Sequence, residues 1–88
     1  MEIIQKAYAG TLESSDAYVE IEPGTQGIQL ELNSVVSQQF GQSIRDLVQE
    51  VLTDLGVRDA KLFIADRGAL DCVIRARVET AVMRGKGE

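Results

Sequence analysis

The residues best placed to do chemistry are Gly10-Thr11-Leu12-Glu13-Ser14-Ser15-Asp16, where a serine sits in a polar, acidic segment. No base stands beside it, and the chain contains no histidine at all. A serine nucleophile normally needs an adjacent base to remove its proton. If Ser14 has a chemical role, it is an attachment point that other proteins modify and use. The same composition also describes a plain turn in which Ser and Asp side chains bond the local backbone. The residues of this segment leave both readings open.

The other reactive groups offer less. Cys72 is the sole cysteine; Arg75 lies one turn further on, but Asp71 is adjacent and no base is present, so it reads as structural or incidental. Asp71, Arg75 and Glu79 follow one another at i, i+4 spacing and could form a salt-bridge ladder on one helix face. Arg77 is off that line, and Arg75 with Arg77 could instead hold a partner's carboxylate or phosphate. Without histidine, and with carboxylates in no ligand-loop spacing, the chain shows no metal site. Its glycines are scattered as turns and caps and cradle no phosphate. Missing catalytic equipment favours a carrier or binding module over an independent enzyme.

The whole-chain properties agree with this. Eighty-eight residues predict one domain, 1–88, with a modest core and no room for a deep, enclosed site. The net charge is −5, and it is uneven. Residues 1–34 carry six acids against Lys6 alone, whereas residues 35–88 carry eight of each sign. The excess therefore surrounds the serine. With no basic patch to replace phosphate counterions, direct nucleic-acid binding is disfavoured; an acidic surface suits docking onto basic partner surfaces, besides keeping a small protein soluble. No stretch approaches the apolar length of a membrane span. A start without signal-peptide character and a single cysteine predict a cytoplasmic protein.

The elements that must hold the segment can be read from periodicity. Residues 3–9 are a weak strand candidate. Residues 17–22 alternate, with Ala17, Val19 and Ile21 on one face and Tyr18, Glu20 and Glu22 on the other. After the turn Pro23-Gly24-Thr25-Gln26-Gly27, residues 28–32 alternate again, which predicts an antiparallel hairpin wet on one side. Asn33 or Ser34 is positioned to cap a helix whose apolar stripe is Val36, Phe40, Ile44, Leu47, Val48, Val51, Leu52 and Leu55, with Gly56 as its stop. Lys61–Asp66 is apolar on both faces and reads as an interior strand. A second helix spans about Ala69 to Arg84, with Leu70, Val73, Ile74, Val78, Ala81 and Val82 as its stripe, and residues 85–88 read as a frayed tail. The order β-β-β-α-β-α predicts a two-layer α+β domain: about four strands with two amphipathic helices on one face. If the strands flanking the first helix are parallel neighbours, their crossover is expected to be right-handed.

Three blocks, in order, resemble the acyl carrier protein of bacterial citrate lyase, its gamma subunit. They are Ala9–Asp16, Gln39-Phe40-Gly41 followed by Ile44-Arg45, and the long run Asp66–Glu79. The resemblance implies that Ser14 carries phosphoribosyl-dephospho-coenzyme A through a phosphodiester, Ser15 being the weaker position. It implies a non-catalytic subunit whose arm thiol holds acetyl and citryl thioesters. The alpha subunit would exchange acetyl for citrate, and the beta subunit, with a divalent metal, would cleave citryl-carrier to oxaloacetate. A prosthetic-group transferase and an acetate ligase would act on the carrier. On this reading Glu13 and Asp16 would repel the arm's phosphates and keep it off the surface. The strand after Ser14 also sets the chain apart from ordinary acyl carrier proteins, which are helical bundles. The carrier subunit of malonate decarboxylase is the near alternative, and an unmodified α+β interaction module is the alternative of another class.

Overall fold

The computed structural model describes residues 2–35 and 37–87, and only the backbone of residues 37–39. The chain runs β1 (Ala7–Gly10), β2 (Ala17–Pro23), β3 (Ile28–Ser34), α1 (Ser37–Asp54), β4 (Ala60–Asp66) and α2 (Asp71–Gly85). The four strands form one sheet in the order β1-β2-β4-β3. β1 and β4 are each antiparallel to β2, while β3 is parallel to β4. α2 packs on β1 and β2, and α1 packs on β3 and α2, giving the predicted two layers.

The expected hairpin between residues 17–22 and 28–32 does not form, because β4 lies between those strands. β4 is apolar on both faces, so it gains most from neighbours on each side. Val19, Ile64 and Leu32 stand in one cross-strand row, as do Ile21, Leu62 and Leu30. The β2–β3 connection must therefore span two strand spacings, roughly 9–10 Å. It does so by crossing the start of β4. A Cβ on Gly24 would lie 3.1–3.2 Å from the Ala60 backbone, so only glycine fits there comfortably. The Ala60 N–H donates to the Gly27 carbonyl at 3.1 Å, and the Gly27 N–H donates to Asp59 Oδ1 at 2.7 Å.

The core lies between sheet and helices. Ala17, Val19 and Ile21 from β2 and Ala60, Leu62 and Ile64 from β4 meet Ile44, Val48, Val51 and Leu52 of α1 and Ile74, Val78, Ala81 and Val82 of α2. Phe40 and Leu70, assigned to the helix stripes by periodicity, are instead exposed. Val36 and Glu88, also named in the sequence reading, lie outside the described residues. Ser34 belongs to β3 and not to a helix cap. Gly56, with φ 72°, ends α1 as expected.

At the N-terminus the strand begins at Ala7, and residues 3–6 do not join it. The Ile4 and Gln5 N–H groups donate to the Gly85 carbonyl at 2.9 and 3.2 Å, and Ile3 is buried. That anchor keeps Gly85 in the helix and buried, so the chain is not frayed there. On the open face of the sheet, Tyr8 and Tyr18 stack with centroids 6.2 Å apart. Burial, with Glu20 adding to it, pushes the Tyr18 phenol above its ordinary pKa.

Candidate functional site

Ser14 lies in the link between β1 and β2, at the end of the sheet where β3 and β4 also finish and both helices begin. The link leaves β1 through Gly10 (φ 90°) and passes through Ser15 at φ 68°, an uncommon conformation for a residue with a Cβ. Three backbone bonds hold it. The Asp16 N–H closes a turn onto the Glu13 carbonyl at 3.1 Å. The Ser15 N–H donates to the Arg67 carbonyl at 2.7 Å, and the Arg67 N–H returns to the Asp16 carbonyl at 3.0 Å.

The Asp16 carboxylate does the rest. It accepts from the Thr11 hydroxyl at 2.6 Å and from the Ala17 N–H at 2.7 Å. Arg77 of α2 grips it with both edges of the fork, Nε to Oδ1 and Nη2 to Oδ2, each at 3.0 Å. A bidentate guanidinium–carboxylate pair is strong and directional. Arg77 first, then the Thr11 hydroxyl and the Ala17 N–H, hold the Asp16 carboxyl far below the usual carboxylate range. Thr11 Oγ1 also accepts from the Glu13 N–H at 3.2 Å. Thr11 and Asp16 thus do the work that composition had shared among all the small polar residues. Ser14 is exposed and enters none of these bonds.

Several expectations change. Asp16 cannot act as a free repelling charge, because Arg77 matches it; of the two acids flanking the serines, only Glu13 stands exposed. The Asp71–Arg75–Glu79 ladder is also not what Arg75 joins. Its Nη2 reaches Glu50 of α1 at 3.4 Å, so Arg75 and Arg77 face different partners and form no joint anion site. Cys72 is exposed in the first turn of α2, which removes the structural reading and leaves the incidental one.

Asp66 was not singled out by the sequence, yet it ties this end of the molecule together. It continues the inward face of β4 and is 1% exposed. Its Oδ2 accepts from the Ser34 hydroxyl at 2.7 Å, and its Oδ1 accepts from the Gly68 and Ala69 N–H groups at 3.1 and 2.9 Å. The only sequence signal is an Asp-x-Gly step at a strand end, which favours an Asx-type turn. Arg67 beside it donates to Asn33 Oδ1 at 2.9 Å. Around this frame Leu12, Val35 and Leu70 are exposed. Among the described residues, no group of three or more His, Cys, Asp or Glu side chains is arranged to hold a metal, and no helix is long and apolar enough to cross a membrane.

The fold is a sheet with two helices that presents an exposed serine on a pinned loop, and comparison with known proteins places it in the class of acyl carrier proteins. Residues 4–85 match the malonate decarboxylase delta subunit (MdcD) family of acyl carrier proteins. The chain is 59% identical to a citrate lyase acyl carrier protein of Vibrio cholerae over 96% of its own length and 87% of the relative. It is 54% identical to one of Klebsiella pneumoniae, over 96% and 88%. It also superposes, with TM-score 0.69 and 27% identity, on a chain of a Pseudomonas malonate decarboxylase hetero-tetramer crystallised with malonate, covering 96% of this chain and 87% of that one. The chain belongs to the citrate lyase acyl carrier protein family.

Proposed function

We propose that this chain is the acyl carrier subunit of citrate lyase, a cytoplasmic non-catalytic partner of the alpha and beta subunits, with Ser14 as the attachment point of phosphoribosyl-dephospho-coenzyme A. The observation that carries the assignment is the exposed Ser14 hydroxyl, outside every bond that holds its loop, on a chain of this family. The residues present fit such an arm. The hydroxyl is accessible, and the Arg77 fork is committed to Asp16. When attached, the arm supplies a terminal thiol that holds the acyl group as a thioester. The protein's part is to present the serine to the modifying enzyme and to keep the arm free for both catalytic subunits, raising the local concentration of acyl group at each. A prosthetic-group transferase and an acetate ligase complete the set of partners.

Intact-mass measurement with peptide mapping, on protein purified from its native source during citrate fermentation, tests this. A mass increase matching the arm and localised to Ser14 is the expected result. The same increase on Ser15 keeps the function and corrects the site. An unmodified chain from cells with active citrate lyase overturns the assignment in favour of an unmodified interaction module. The family match and the Pseudomonas superposition favour one second reading, the carrier of malonate decarboxylase. Co-purification with malonate-decarboxylating rather than citrate-cleaving activity would establish it.

A further inference from the structure

We infer that Arg77 is a positioning residue for the loading of Ser14: its forked grip on Asp16 holds the serine loop in the shape the attaching enzyme must meet. The inference rests on the reading of Ser14 given above. Arg77 stands on α2, 61 residues from Asp16 in sequence. Through one carboxylate it fixes both ends of the loop, since Asp16 also binds Thr11 at the start and the Ala17 N–H at the finish. Its stem passes close over the loop's entry: a Cβ on Gly10 would come within 3.1 Å of Arg77 Cδ. Ser14 sits between those clamped ends with its own side chain unused.

The loading chemistry shows why such a clamp matters. The Ser14 oxygen must bond to the phosphorus of an activated phosphoanhydride donor, in line with the anhydride bond that breaks. Diphosphate leaves with the bonding electron pair. The hydroxyl proton goes to a general base, on the transferase or the exposed Glu13 carboxylate beside the serine, and not to Asp16, which is committed to Arg77. Every residue of the loop ordered in advance is one fewer to be ordered in that complex, and small misplacements of a reacting atom are costly.

The test compares Arg77→Met, Arg77→Lys and the reversed pair Asp16→Arg with Arg77→Asp against the wild-type chain. Each is loaded by purified transferase with the activated phosphoribosyl-dephospho-coenzyme A donor and followed by intact mass. Amide exchange of residues 13–16 and the thermal midpoint are measured on the same samples. We expect Arg77→Met to lower loading kcat/KM by about 10- to 100-fold, with faster exchange confined to the loop. Arg77→Lys, a point charge without the fork, should recover only part of the loss. The reversed pair restores the ion pair but leaves the Thr11 hydroxyl and the Ala17 N–H without their acceptor, so it should recover neither full loop protection nor full loading. Loading at the wild-type rate, or slowed loading with unchanged loop exchange, would overturn the positioning role. So would a loss that follows the thermal midpoint alone. If the wild-type chain itself is not loaded on Ser14, the reading of the site fails first, and that result is distinct from all of these.

Discussion

Replacing Asp66 with alanine should be among the most damaging single changes at the serine end of the molecule. The carboxylate is 1% exposed and accepts three hydrogen bonds, from Ser34 Oγ and the Gly68 and Ala69 N–H groups. A bond to a charged acceptor nets roughly 1.5–3 kcal/mol. Burying the carboxylate itself costs several kcal/mol, which the substitution relieves. The balance leaves a loss of about 2–4 kcal/mol, mostly from two backbone N–H groups that lose their acceptor. For a chain of this length each kcal/mol moves the thermal midpoint by about 5 °C, so the expected drop is roughly 10–20 °C. Asp66→Asn keeps an oxygen for the two amides and offers an NH₂ to the Ser34 hydroxyl, so it should cost only about 1 kcal/mol. Urea denaturation and calorimetry measure both variants, and exchange at Gly68 and Ala69 locates the damage. A loss below about 1 kcal/mol for Asp66→Ala, or equal losses for both variants, would refute the assigned role of the carboxylate.

Three further outcomes follow from the same geometry. Gly10→Ala drives a Cβ into the Ala17 carbonyl oxygen at φ 90°, so it should cost at least about 2 kcal/mol in chemical denaturation. Asp16→Asn should lower stability by a constant amount at neutral pH. Because the folded Asp16 carboxyl titrates below its unfolded value, its contribution is fully present above about pH 4. Below that it is lost progressively, so the difference in thermal midpoint between wild type and Asp16→Asn should narrow only in acid. Cys72 is exposed, so a maleimide should label it in the native protein about as fast as in urea; strong native protection would contradict its placement.

Much of the architecture was legible because it is local. Alternation in residues 17–22 and 28–32, three- and four-residue spacing in the helices and two apolar faces in 61–66 each arise from a chain burying one side of a regular element. That no histidine stands beside Ser14 was legible too, since it is a property of composition. The hairpin error has a physical cause. Adjacent alternating strands predict pairing with each other, but β4 carries more apolar surface and takes the place between them. Nothing in residues 17–32 reports what lies at 60–66.

The sequence by itself determined the element order and most of the inward faces. Only the tertiary structure decided that Arg77 clamps Asp16, that Arg75 turns to Glu50, and that Asp66 ties the end of β3 to the turn after β4. Periodicity records which side of an element is buried, and it does so within a few residues. The partner of a charged side chain is chosen by how the sheet and helices stack: Arg75 and Glu50 stand 25 positions apart, and Arg77 and Asp16 stand 61 apart.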